Sequence, residues 1–330
     1  HGSVARQVSR GLAGVFIVRG ELDQIPEIAK APEAILVLQD FALSSSGLPV
    51  EPSLMARMTG RQGNLVTANG QTNPSIGLDR DGWVRLRILN ASSSRFYRLQ
   101  LEDHPLYLIA TDGGALPSPE QRDEILLAPG ERIEVMVQGA RPDGSYRLVS
   151  LPYNRGGMGM GMMGGASSGP AVLATLVYQG QAGSTWSLPQ RLVNIDPLPE
   201  PSVRRSFQLG QGMGMGMGMM GGGGATFTIN GRTFNPGRVD TRVVLNSVEE
   251  WDFINPTMMD HPMHVHTNPF QVVGSDGAPL RAWKDVALVP AFSRVRVRTA
   301  FRDFAGMALY HCHILDHEDL GMMGTLQIQG

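Results

Sequence analysis

The chain has 330 residues, with 28 Lys plus Arg against 30 Asp plus Glu and a formal net charge of −2. That length accommodates two domains with cores of their own, and the balanced charge argues against nucleic acid or an anionic membrane surface as partner. A single cysteine excludes an intrachain disulfide, and without a run of about eighteen apolar residues the chain reads as soluble, with no membrane span.

The first residues read as a loop and a short turn before a predicted strand at 15–18, and 21–33, acidic and proline-bearing, as a linker. From residue 34 short apolar and β-branched runs recur at 35–38, 84–89, 96–101, 106–110, 133–137, 146–151 and 172–177. Turn signals such as Asp79-Arg80-Asp81-Gly82 and Pro129-Gly130 separate them. Many short strands and little helical periodicity predict an all-β sandwich over 34–180. Its one histidine, His104, precedes a proline and reads as a satisfied turn residue. Two tracts of interleaved Met and Gly follow, at 158–165 and 210–224, the second inside a predicted linker of 181–224. Such tracts are too poor in bulky apolar residues to fold alone, and their thioethers suit a soft cation. A second β domain is predicted over 225–330, in which Arg294, Arg296 and Arg298 alternate with valines as one solvated face of a strand.

Two motifs in this last domain carry chemistry. In Tyr310-His311-Cys312-His313 a strand sends His311 and His313 to one face and Cys312 to the other. His317 and Met322 follow, within reach of the Cys312 side. In His261-Pro262-Met263-His264-Val265-His266 the same alternation puts His264 and His266 together, while His261 is free to approach Cys312. Two histidines, a thiolate and a weak axial methionine form a blue-copper ligand set. The sequence therefore offers His261, Cys312, His317 and Met322 for one copper, and the imidazoles of His264, His266, His311 and His313 for others. A buried inert thiol or a catalytic Cys–His pair accounts for only part of this pattern, and structural zinc prefers more than one cysteine.

These motifs, with Gly321-Met322-Met323 after the second, resemble the copper signatures of bacterial multicopper oxidases, the laccase and cuprous-oxidase family. The resemblance implies tandem cupredoxin domains. His261, Cys312, His317 and Met322 would form the type 1 copper site that accepts electrons from a phenolic or Cu(I) donor. His264, His266, His311 and His313 would belong to the type 2/type 3 trinuclear cluster that reduces O2 to water, and Glu318 would relay protons. His1, followed by Gly2, resembles a further trinuclear ligand at the end of a first cupredoxin domain, so that 1–20 reads as a remnant of that domain. Residues 34–180 resemble the copper-free second domain and 225–330 the copper-bearing third. Met258, Met259 and Asp260 resemble a Cu(I) substrate loop, although relatives carry the acidic residue before the methionines. With His104 set apart, the remaining histidines of this chain are too few for a full trinuclear cluster, which implies a missing first cupredoxin domain as partner. The family also implies export, periplasmic or secreted. The alternative expectation is a non-enzymatic blue-copper electron-transfer or copper-binding protein.

Overall fold

The structure, a computed structural model, describes residues 3–156, 170–183, 185–213 and 225–330. His1, the 158–165 tract and residues 214–224 of the second tract lie outside the described residues. Strands dominate the chain, as the sequence predicts, and they form two β-sandwiches of two sheets each.

The first sandwich pairs a six-stranded sheet with a five-stranded one. In the larger sheet Glu33–Phe41 runs parallel to Trp83–Asn90, which in turn pairs antiparallel with Arg132–Gln138. Their alternate residues Leu36, Leu38, Leu86, Ile88 and Val135 meet Tyr97, Leu99, Leu148 and Leu176 of the facing sheet in a buried core, the period-two burial of a packed sandwich. Within this domain His104 is satisfied at both ring nitrogens, by Glu102 O at 2.6 Å and Tyr178 Oη at 2.9 Å, in keeping with a structural role.

The second sandwich comprises β1 (Val203–Met213), β2 (Ala225–Ile229), β3 (Thr241–Val244), β4 (Val248–Asn255), β5 (His261–Val265), β6 (Phe270–Val272), β7 (Val286–Val289), β8 (Ser293–Ala300), β9 (Gly306–Cys312) and β10 (Met323–Gln329). One sheet has the order β2-β1-β4-β8-β6 and the other β3-β10-β9-β5-β7. Trp251, Phe253, Phe207, Phe227, Phe301 and Tyr310 fill the space between them. Four short α-helices, α1 (Val4–Val8), α2 (Pro26–Ala29), α3 (Leu54–Met58) and α4 (Leu315–Asp319), and a 3-10 helix at Glu21–Gln24 complete the described elements.

Several expectations change. Residues 15–18 form no strand; they run unpaired, with Phe16 92% exposed. The predicted linker at 21–33 packs instead, because its Leu22, Ile28 and Ala31 bury against Trp83, Ile109 and Met136. The predicted linker at 181–224 contains β1, whose Phe207 and Leu209 face the core while its glycines lie at the end that pairs with β2. β5 ends at Val265 and β6 starts at Phe270 in the other sheet, across Pro269, which has no N–H for a ladder. Arg298 is not on a solvated face: it is 3% exposed and holds Glu250 at 2.8 Å.

The two sandwiches interlock. Phe96 and Ala128 of the first belong to the core of the second. Arg132 grips Asp285 through two bonds of 2.6 and 2.7 Å, and Lys284 lies 2.9 Å from Asp112 and 2.8 Å from Glu131. These ties border the histidine-bearing end of β5 and β9.

Candidate metal centre

The two motifs are neighbours in one sheet. β5 and β9 pair antiparallel with Met263 opposite Cys312, His264 opposite His311 and Val265 opposite Tyr310. Strand alternation then sorts the side chains, with one donor group forming on each side of β9.

On the inner side, Cys312 Sγ lies 3.6 Å from His261 Nδ1 and 3.8 Å from His317 Nδ1, and the two nitrogens are 3.3 Å apart. All three residues are wholly buried. His317 comes from α4, which follows β9 directly, and its ring stacks on Phe227 at 3.9 Å. Both imidazoles are fixed in one tautomer. His317 Nε2–H donates to Met58 O at 3.1 Å. His261 Nε2 lies 3.0 Å from Thr257 Oγ1, whose own proton goes to Asn255 Oδ1 at 2.7 Å, so the hydroxyl accepts from His261. Each Nδ1 therefore turns a lone pair toward the sulfur. Such a convergence is repulsive without a cation, and its spacing is what ligand bonds of roughly 2.0–2.3 Å in a trigonal set produce. The residues fit copper. The Ile314 N–H donates to Sγ at 3.4 Å, a contact of the kind that tunes a copper thiolate. Met322 is also fully buried, with its N–H on His317 O at 2.9 Å and its carbonyl on Cys312 N at 3.0 Å.

Burial sets the charges here. It pushes the Cys312 thiol up and the His261 imidazole down to about 3. His317 lies well below its ordinary value through burial and then through the neighbouring His261. The metal-free cluster is thus neutral, two unprotonated imidazoles and a thiol.

On the other side of β9, His264, His266 and His311 offer nitrogens within 4.8 Å of one another, and the Nε2 atoms of His266 and His311 are 3.2 Å apart. His264 Nδ1–H donates to Asp285 O at 2.8 Å, which leaves its Nε2 as the free donor. Burial lowers His266 to about 4, with further lowering from His264 and His311. His313 stands at the margin, its ring centroid 5.7 Å from that of His311 and 5.8 Å from that of His264. Its position depends on Gly130 of the first sandwich: a Cβ there would lie 2.4 Å from the ring, and the Gly130 φ of +83° favours glycine in any case. His313 Nδ1 and Glu318 Oε2 are buried without hydrogen-bond partners, as groups awaiting a cation or a proton are. Glu318 Oε2 is also 3.2 Å from His311 Nδ1.

The Met258, Met259 and Asp260 trio differs in exposure and in partners. Met258 is 40% exposed, whereas Met259 is buried. Asp260 spends both carboxylate oxygens inside the protein, accepting from Tyr153 Oη at 2.6 Å and Ala291 N at 2.8 Å. Sequence reasoning did not anticipate Thr257, Asp285, Gly130 or Met58 around the centre. Thr257, four residues before His261, was within reach of inspection. Met58, 259 positions from His317, carries no local signal.

Family models described as multicopper oxidase match residues 34–181 and 201–329. A multicopper oxidase of Staphylococcus haemolyticus is 28% identical over 336 residues, covering 99% of this chain and 66% of the relative. The cell division protein FtsP of Edwardsiella tarda is 33% identical over 346 residues, covering 99% of this chain and 68% of its own. The chain spans about two thirds of the length of the curated relatives it matches. Among solved structures, a multicopper oxidase from Campylobacter jejuni, described as a metallo-oxidase, aligns with a TM-score of 0.85 at 31% identity over all of this chain and 70% of that one. McoA from the hyperthermophile Aquifex aeolicus gives 0.84 at 30% identity, over all of this chain and 74% of that one. With an all-β cupredoxin-like fold and both of its sandwiches matched, the chain belongs to the multicopper oxidase family.

Proposed function

We propose that this chain works in a copper oxidase that takes single electrons from a small donor, phenolic or Cu(I), and passes them to a site that reduces O2 to water. The observation that carries the reading is the placement of two donor groups on opposite sides of one strand end. His261, Cys312 and His317 lie on one side and His264, His266 and His311 on the other, joined through consecutive residues of β9. Copper held there would supply one-electron redox chemistry at the thiolate group, with Met322 as a weak further ligand, and oxygen chemistry at the imidazole group. The protein's own part is to orient and to exclude water. Thr257 and the Met58 carbonyl hold the Nδ1 lone pairs of His261 and His317 inward. Asp285 does the converse for His264, whose Nε2 is left free. Glu318 is placed to hold a proton beside His311, in a pocket that gives its Oε2 no other partner.

An oxygen site needs more imidazoles than the four described here, and we propose a further cupredoxin domain as their source. The likeness to relatives half as long again supports that reading. O2 uptake by the copper-loaded protein, with a phenol and with Cu(I), alone and with such a domain added, tests it. Uptake restored by the added domain supports an oxidase, and none under any condition sinks it. The likeness to a cell division protein favours one second reading, a blue-copper or copper-holding protein without oxidase activity. A blue protein inert toward O2 even with the added domain would mark that case. Family likeness also supports export, periplasmic or secreted, which fractionation of the native cells checks.

A further inference from the structure

The geometry points to α3 of the first sandwich as a positioning element of the electron-accepting centre, acting through the Met58 carbonyl on His317. By its sequence this sandwich resembles a copper-free domain. Yet the outward nitrogen of His317 ends on Met58 O at 3.1 Å, and His317 is wholly buried.

Three further ties hold that carbonyl still. Arg61 binds Asp316, the residue before His317, through Nε at 2.8 Å and Nη2 at 2.6 Å, and the Asp316 side chain is fully buried. Gly60 O accepts from Arg155 Nη2 at 2.5 Å while Arg155 Nη1 binds Ser94 O at 2.6 Å. Gly60, at φ +73°, lies so close to Ile314 that an added Cβ would be 3.0 Å from its Cγ2. The segment 58–61 is thus tied to Ile314 and Asp316, just before His317, by packing and ion-pair contacts. A carbonyl accepting Nε2–H fixes the tautomer and makes the Nδ1 lone pair more basic. That favours the oxidised, more highly charged metal at Nδ1 and lowers its reduction potential.

The inference rests on the reading of His261, Cys312 and His317 as a copper site, and its test separates the two. Thr59→Pro disfavours the helical conformation of Met58 and so swings its carbonyl away from His317, whereas Thr59→Ala keeps the peptide and loses only the Oγ1 bond to Met55 O. In copper-loaded protein, Thr59→Pro is expected to raise the reduction potential of the blue centre and to weaken copper binding on the order of 10-fold; Thr59→Ala should leave both at the parent's values. A folded Thr59→Pro protein with the parent's potential and visible spectrum overturns the proposal. Nitrogen-15 NMR of the unmodified metal-free protein gives a second test that needs no variant to fold. His317 protonated at Nε2, with a slowly exchanging proton, supports the proposal, and the Nδ1-protonated tautomer overturns it. An unmodified protein that binds copper without a blue band overturns the copper reading itself, and this positioning role with it.

Discussion

Cys312 has no role in the core that another small apolar residue could not fill; what sets it apart is two imidazole lone pairs aimed at its sulfur. Cys312→Ser is therefore expected to abolish the thiolate-to-copper absorption while the protein stays folded, checked by visible spectroscopy beside circular dichroism. The histidines have a separate consequence for the metal-free protein. Their folded-state values lie below the unfolded one, about 3 for His261 and about 4 for His266, so between roughly pH 6.5 and those values the unfolded chain binds more protons. Stability from these groups is complete above about pH 6.5 and is lost as pH falls toward 3, the wholly buried His261 contributing about 1.4 kcal/mol per pH unit within its window and the partly exposed His266 less. Urea denaturation of the metal-free protein from pH 7 to 4 should show this slope, and copper, which binds the unprotonated imidazoles and displaces the thiol proton, should steepen it. A pH-independent midpoint would contradict the burial of these rings. At this scale the donors were legible because spacing of two on a strand is a geometric statement. Their hydrogen-bond partners were not, since Asp285 O and Met58 O are backbone atoms that any residue could supply.

The elements that matter most are β5, β9 and the short helices α3 and α4. Arg61 and Asp316 form a nearly buried pair between the two helices, and Arg57 stands 3.7 Å away. Removing the guanidinium leaves a buried carboxylate short of its main partner, so Arg61→Met is expected to cost about 3 kcal/mol. Arg80→Met, which breaks an exposed pair with Asp143, should cost under about 1 kcal/mol; chemical denaturation compares them. Gly130→Ala forces a methyl group against the His313 ring and should reduce copper bound by the imidazole group while sparing the blue band, read by copper analysis and EPR on one sample. Most strands were readable from their apolar alternation. β1 was not, because the Met–Gly composition at its end masked the Phe207 and Leu209 pattern. Arg298 was misjudged because alternation identifies a face without saying what covers it, and Glu250 across the ladder was invisible in sequence.

Across the whole molecule, the first sandwich is part of the centre although none of its described residues stands as a metal ligand. Gly130, Arg132, Met58 and Arg61 all reach the histidine-bearing end of the second sandwich. The sandwich architecture followed from many short strands with turn signals between them, but the interface did not, because ties such as Arg132 to Asp285 join residues 153 positions apart with no local pattern. The second sandwich alone should be insufficient: separated from the first, it is expected to bind copper more weakly and to lose the tautomer lock on His317. The proposed blue copper at His261, Cys312 and His317 is tested by copper analysis with visible and EPR spectra of the loaded protein. An intense thiolate charge-transfer band that disappears in Cys312→Ser is expected; copper bound without that band, or a band that survives the substitution, would rule the site out.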